Sequence, residues 1–409
     1  MAALDFPTSP TNGQVYGNFI WSTTKDAWQA KPLVSAKTVT SDVAPGTPQD
    51  GDQWFNTVDG TLYIYVVDVD GGQWVESQAP ITANGYYSPN YIINGGFDIW
   101  QRGTSFTPAT AITYTTDRFF TLRDGTGATV TTSQQTFTPG TAPVAEYEGR
   151  FFYRYAQTVA GTGGTYVNVL QQRIEDVRTL AGQNATVSFW AKADSARTMR
   201  ATLGQHFGTG GSPSGANNVP VGDFSITTSW QRFSATIALT SISGKVIGTN
   251  NDSSLQVIIQ SITPNVTQTF DIWGVQVEAG SIATAFRRNA NSIQGELAAC
   301  QRYYYRNTGS TNGARLLYGM QSQTTVADVI AVLPVELRIS NPTIDYANVQ
   351  WTDSVAFNAA ISAIVLNNSG GSPKTVNLSI TFAANGAVRY PGYISTNAIG
   401  GYFGLSAEL

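Results

Sequence analysis

The chain has 409 residues, of which 42% are hydrophobic and only 12% charged, with a net charge of −4. Charged residues stand at about half the usual ~25%, and no Lys/Arg block occurs, which excludes the electrostatic footprint of a nucleic-acid binder or of a polybasic membrane patch. One cysteine, Cys300, and one histidine, His206, exclude an intrachain disulfide, a cysteine-based zinc site and a multi-histidine metal site.

The length leaves room for two to four domains of about 100–200 residues each. Forty glycines, nineteen tyrosines and nineteen phenylalanines favour an all-β chain. A weakly charged surface of Ser, Thr, Asn, Gln and Gly suits turns and strand faces better than exposed helices. The longest apolar runs fall short of the ~20 residues that cross a bilayer as a helix. Met1-Ala-Ala-Leu-Asp-Phe-Pro7 has neither a basic nor an apolar leader segment, which predicts synthesis in a cytoplasm without a secretory signal.

Residues 1–80 contain a repeat. Pro10-Thr-Asn-Gly13-Gln-Val-Tyr16 matches Pro48-Gln-Asp-Gly51-Asp-Gln-Trp54, and each copy closes on a tryptophan, Trp28 and Trp74. Repeats at this spacing signal duplicated small units. The second copy reads as a β-meander, with strands over 53–57, 61–67 and 73–76 and turns at Asp59-Gly60 and Asp70-Gly71-Gly72. Trp54, Tyr63 and Trp74 are expected to supply most of its core. Residues 81–91 read as a linker, rich in turn formers.

Residues 92–288 read as one jelly-roll or β-sandwich domain. Strands are expected over 118–122, 151–157, 186–191, 200–203, 231–239, 255–259 and 269–277, separated by turn signals. The Gly, Ser, Pro and Asn content of 208–218 predicts an exposed, mobile loop. Residues 289–409 read as a third β domain behind one short helix. Ile293, Leu297, Cys300 and Tyr304 recur at helical spacing and predict a helix over 292–302. Strands follow at 303–305, 316–320, 326–335, 349–351, 363–366, 376–382 and 401–409, with a hairpin turn at Asn385-Gly386.

Several of these stretches together resemble bacteriophage tail-fibre and virion-appendage proteins. Ile93-Asn-Gly-Gly-Phe-Asp-Ile-Trp-Gln-Arg-Gly103 with Asp117-Arg-Phe119 is similar to the opening of a domain widespread in such fibres. Gln172-Arg-Ile-Glu-Asp-Val-Arg-Thr-Leu-Ala-Gly182 and Val187-Ser-Phe-Trp-Ala-Lys-Ala193 resemble its middle, and Ile272-Trp-Gly-Val-Gln-Val-Glu-Ala-Gly280 its closing strand. Glu296-Leu-Ala-Ala-Cys-Gln-Arg-Tyr-Tyr304, Leu333-Pro-Val-Glu-Leu-Arg338 with Pro342-Thr343, and Leu405-Ser-Ala-Glu-Leu409 resemble the C-terminal fibre segment. The middle domain also resembles carbohydrate-binding jelly rolls that open on Asn-Gly-Gly-Phe. Such jelly rolls often hold a structural calcium between their first and last strands. That implies Asp98 and Asp271 as metal ligands, since calcium takes several oxygens.

Other candidate sites have plainer readings. His206 lacks a nucleophile elbow and an orienting acid, so a surface or strand histidine is expected. Cys300 lies on the helix stripe, where a thiol packs as a small hydrophobe. Glu146 with Glu148, and Glu175 with Asp176, are acid pairs of the kind glycoside hydrolysis needs, yet such pairs are common in loops. Asp68-Val-Asp70-Gly71-Gly72 lacks the later glutamate of an EF loop and reads as a turn. Trp100, Trp190, Trp230 and Trp273 could stack sugars but sit in strand patterns that favour core. Tyr303-Tyr304-Tyr305 places two rings on one strand face.

The resemblance therefore implies a non-catalytic virion component without a required cofactor. It would be a tail fibre that attaches to the host through surface polysaccharide, is assembled as a homotrimer, and is joined by its N-terminal repeats to other tail or baseplate proteins. A head fibre or decoration protein and a polysaccharide depolymerase are the alternatives. Receptor recognition is expected beyond residue 288, on loops at 307–312, 340–346 and 367–374, with 208–218 as a second candidate.

Overall fold

The computed structural model describes residues 8–16, 19–30, 37–58, 60–68, 71–76, 89–123, 125–144, 149–353, 357–367, 374–383 and 388–409. The chain divides into two compact units, Met1–Tyr87 and Ser88–Leu409. Among the described residues it is almost entirely β, with one helix.

The first unit holds two small sheets. Strands β1 (Val15–Tyr16), β2 (Phe19–Ser22) and β3 (Ala27–Ala30) form one; β4 (Thr38–Ser41), β5 (Gln53–Asn56), β6 (Leu62–Asp68) and β7 (Gly71–Glu76) form the other. The sequence repeat recurs as a repeat of hydrogen bonds. Gln14 N–H donates to Thr11 C=O and Asp52 N–H to Gln49 C=O, each closing a β-turn. Gly13 and Gly51 sit in these turns at φ +82° and +87°, a conformation open to glycine at no steric cost. Gly13 N–H then reaches Trp21 C=O as Gly51 N–H reaches Tyr65 C=O. The paired residues Trp21 and Trp28 meet edge to face at 5.6 Å, and Tyr65 and Trp74 do so at 5.2 Å. Trp54 is buried, stacks on Tyr63 at 5.0 Å and lies 5.7 Å from Trp74, so the expected aromatic core forms. The second copy is more than a meander, because β4 adds parallel to β5 and its Ser41 C=O accepts the Trp54 indole N–H at 3.1 Å.

The second unit begins with a β-sandwich. Its strands are β8 (Ser105–Phe106), β9 (Thr113–Tyr114), β10 (Phe119–Leu122), β11 (Thr129–Thr136), β12 (Phe151–Val159), β13 (Val167–Glu175), β14 (Asn184–Ala193), β15 (Arg197–His206), β16 (Asn217–Ile226), β17 (Gln231–Ala238), β18 (Ser254–Ser261) and β19 (Gln268–Ala279). One sheet runs β16-β15-β18-β13-β10-β9 and the other β17-β14-β19-β12-β11-β8, and every pairing is antiparallel. From β12 to β15, and again from β16 to β19, each connection crosses between the sheets, which is jelly-roll winding. Alternation sets the faces: Leu255, Val257 and Ile259 of β18 enter the core with Val187, Phe189 and Ala191 of β14.

The C-terminal part starts with α1 (Ile293–Gln301), whose cap Ser292 accepts the Gly295 N–H. The span agrees with the expectation, and so does the burial of Cys300 and Tyr304, but the start of the expected stripe does not. Ile293 is exposed, and Glu296 and Cys300 are the buried residues. Gly295 is needed there, since a Cβ would lie 2.9 Å from the Ala290 Cβ. Strands β20 (Tyr304–Thr308), β21 (Arg315–Gln323), β22 (Val326–Val332), β23 (Thr343–Ala347), β24 (Val349–Asp353), β25 (Asn358–Leu366), β26 (Thr375–Phe382), β27 (Pro391–Thr396) and β28 (Tyr402–Ser406) follow. Six of them close a barrel in the order β21-β22-β26-β25-β24-β27, and β20-β28-β23 form a separate sheet. Leu378, Ile380, Trp351 and Ile394 lie in the core they share with Phe403 and Leu405. The sandwich and barrel therefore have separate apolar cores within one compact unit.

Candidate functional site

Several of the stretches that carry the fibre resemblance meet at a buried polar joint between the sandwich and the C-terminal part. Arg118, on the opening of β10, is almost fully buried and ion-pairs with Glu408. Its guanidinium also donates to Arg173 C=O at 2.6 Å and lies 3.4 Å from the Tyr303 ring centroid. Burial opposes the Arg118 charge, and Glu408 together with Tyr303, Tyr114 and Cys300 more than offsets it, leaving Arg118 above the ordinary arginine range. Arg102 reaches Glu408 at 3.2 Å and stacks 3.5 Å over Tyr304. Asp117 accepts from the Gln101 backbone at 2.6 Å, and Gln101 donates onward to Tyr304 C=O at 2.7 Å. Glu296 accepts from the Asn94 and Ala290 N–H groups, so α1 seats directly on the Asn94-Gly95-Gly96 turn. Burial pushes the Glu296 and Asp117 carboxyls upward. Tyr303 and Tyr304 are thus interior joint residues, and neither ring meets solvent.

The expected calcium pair does not form a ligand set. Asp98 accepts from Arg288 at 2.9 Å. Asp271 lies between its register partners Arg154 and Lys192, with both oxygens bound by Arg154 at 2.7 and 2.8 Å. Each carboxylate is thus engaged by cationic side chains of the chain itself, and no cluster of three or more His, Cys, Asp or Glu suited to a metal occurs among the described residues.

The Glu175–Asp176 pair separates in the same manner. Glu175 is held by Arg302 at 3.1 Å and by the Tyr303 hydroxyl at 2.8 Å, while Asp176 pairs with Arg178. Glu146, Glu148, Asp70 and the Asn385-Gly386 turn lie outside the described residues, as do residues 368–373 of the 367–374 loop. Residues 340–346, expected as a loop, run into strand β23. Cys300 is fully buried, and burial pushes its thiol well up. Trp190 and Trp273 are buried, and Trp230 and Trp100 pack against the core. These four tryptophans therefore offer no open platform.

The open polar surface lies elsewhere, on the outer face of the β16-β15-β18-β13 sheet. There Gln256 and Ser254 of β18, Arg173 of β13 and His206 of β15 line a cavity of about 220 Å³ with Thr209 and Asp252. His206 faces Asn218 at 3.2 Å, and burial lowers its pKa, which favours the neutral ring. The adjoining 208–218 loop is exposed as expected but tied down. Thr209 donates twice to Asp252, at 2.8 and 2.5 Å, and Ser214 and Val246 bond reciprocally at 2.9 and 3.0 Å. Burial opposes ionisation of Asp252, but the Thr209 bonds outweigh it and hold the carboxyl below the usual range. The cavity thus presents fixed donors and acceptors. Sequence patterning flagged His206 and the loop; Gln256 and Ser254 were missed because their only signal is alternation within β18.

No protein-family model matches the chain, and no curated protein matches it. Solved structures resemble its β-sandwich at low identity. A cyclase from Fischerella sp. TAU is 14% identical, covering 49% of this chain and 100% of its own, with a TM-score of 0.31. The CBM22-1 xylan-binding domain from Paenibacillus barcinonensis is 11% identical over 48% and 95%, with a TM-score of 0.28. The enzymatically active domain of tailspike protein 4 of bacteriophage CBA120 is 12% identical over 47% and 21%, with a TM-score of 0.27. Proteins of three different kinds share this degree of likeness, so it does not discriminate among functions.

Proposed function

We propose that the chain is a non-catalytic structural component of a bacteriophage tail fibre that binds surface polysaccharide of the host. The observation that carries the binding part is the polar cavity at His206, Thr209 and Gln256. Its neutral imidazole, amide and hydroxyl groups suit the alternating donors and acceptors of sugar hydroxyls. The fibre part rests on the ordered motifs of the sequence, several of which converge on one joint. Assembly as a homotrimer, with the N-terminal repeats toward tail or baseplate proteins, would multiply weak sugar contacts by roughly 10²–10⁴.

The test is calorimetric titration of the full chain with polysaccharides purified from bacterial surfaces, with reducing ends counted in parallel. Saturable binding is expected, weakened about tenfold by His206→Ala, as loss of one hydrogen bond to a neutral group entails, and no new reducing ends should form. Absence of binding across the panel, or progressive shortening of the polysaccharide, would overturn the reading.

A further inference from the structure

At the edge of the barrel lies a cluster, part exposed and part buried, that the joint does not use. Arg315 and Tyr318 of β21, Tyr393 of β27, and Thr352 and Asp353 of β24 line a cavity of about 430 Å³. Three adjacent strands bring them together, since Tyr318 pairs with Tyr393 and Tyr393 with Thr352. The register makes this a row across the sheet, with Asp353 beside Gly392 at one end. Gly392 is required for the floor, because a Cβ there would lie 2.4 Å from the Trp351 ring.

Tyr318 is 62% exposed, its ring 6.0 Å from Tyr393 and inclined by 59°. The Arg315 guanidinium lies 4.5 Å over the Tyr393 ring, which fixes its position at the cavity edge. Asp353 is only 5% exposed and is oriented by the Phe357 N–H, which it accepts at 2.8 Å. An open aromatic face, an oriented carboxylate and a placed guanidinium therefore border one hollow. Its size falls within the ~300–1,000 Å³ of small-ligand sites.

We infer that this cluster is a second sugar site, for a neutral pyranose stacked on Tyr318. The C–H face of the ring would cover the exposed phenol. One hydroxyl would donate to Asp353 and a neighbouring hydroxyl would accept from Arg315, since a carboxylate only accepts and a guanidinium only donates. A carboxylated or phosphorylated sugar gains from Arg315 about what it loses to Asp353 and must shed more water, so the neutral ring fits better. The inference rests on the reading of the protein as a glycan binder and adds a site of different make, aromatic where the sandwich cavity is polar.

The test uses the full chain and the methyl glycosides of glucose, galactose, mannose and rhamnose, with glucuronate as the charged comparison. Saturation-transfer NMR reports contact and calorimetry reports affinity. At least one neutral glycoside should bind better than glucuronate. Tyr318→Ala should weaken it about tenfold, and Tyr318→Phe, which keeps the ring, should bind nearly as well as the native chain. If no glycoside binds while polysaccharide titration still succeeds, this inference falls and the glycan-binding reading stands; if neither binds, both fall. Equal binding by Tyr318→Ala also overturns the inference. So does a Tyr318→Ala chain whose only change is a smaller mass by light scattering, which would make the tyrosine a contact between copies.

Discussion

Arg118 shows how much one side chain can commit a fold to a single arrangement. Its backbone lies at φ +69°, a conformation seldom adopted outside glycine and asparagine. Its guanidinium is enclosed by Glu408, the Arg173 carbonyl and the Tyr303 ring. A buried ion pair adds little net stability, but breaking one leaves a charge stranded in a poor solvent. Glu408→Gln keeps the shape and removes the charge that serves both Arg118 and Arg102. The expected cost is about 3–5 kcal/mol, measured by denaturant unfolding of the full chain. A loss within error of zero would mean that the arginines find other acceptors. The same residue marks a limit of sequence reading. Asp117-Arg-Phe119 stood out as a motif, but nothing in its composition told that the arginine points inward to a partner 290 positions away.

Helix α1 is short, and one carboxyl anchors its docking. Glu296 accepts from two backbone N–H groups, those of Asn94 and Ala290, and burial raises its pKa. The direction of linkage follows from proton binding. Between the ordinary carboxylate value and the raised folded value, the native state holds more protons than the unfolded state. Stability from this group is therefore complete at low pH and is lost as pH rises through that window. Asp117, also raised by burial, acts with the same sign. Glu296→Gln should flatten part of that slope, lowering stability by about 1–3 kcal/mol at the acid end, where one buried N–H loses its acceptor, and by less as pH rises. Thermal melts across the acid range would check it, and an unchanged slope would count against the account. Helical spacing gave the span of α1 correctly but picked Ile293 for burial, since periodicity weighs apolarity and gives no weight to a glutamate that satisfies a neighbour's backbone. Strands were legible where β-branched and aromatic residues alternate, as in β14, β18 and β26. Strand β27 was missed because it opens on Pro391-Gly392, which reads locally as a turn.

For the second unit as a whole, two complete apolar cores meet through a polar, largely arginine-lined joint. A chain ending at residue 290 would keep the sandwich core but lose Glu408, Tyr303 and Tyr304. Arg118 and Arg102 would then be left without the groups that neutralise and cover them. Such a chain should melt about 10 °C below the full protein, a few kcal/mol at ~2–4 °C each, or fail to fold. Equal melting of the sandwich in both chains would show that the joint adds nothing. That the chain is built almost wholly of β strands was readable from composition and turn spacing. Closure of the barrel was not, because it depends on the register of β27 against both β21 and β24, and no local signal sets a pairing between strands so far apart in the chain.

The joint is also the longest-range feature of the molecule: Arg173 reaches Leu409 across 236 positions and Arg118 reaches Glu408 across 290. Contacts of such separation form late, after local hairpins and the individual cores. The sandwich must therefore exist for a time with its arginines hydrated and its docking surface uncovered. Interactions made only in that last step leave folding rates nearly unchanged and govern unfolding instead. Substitutions at the joint should thus shorten the lifetime of the assembled pair far more than they slow the appearance of either part, making this small polar contact the clock of the molecule's durability.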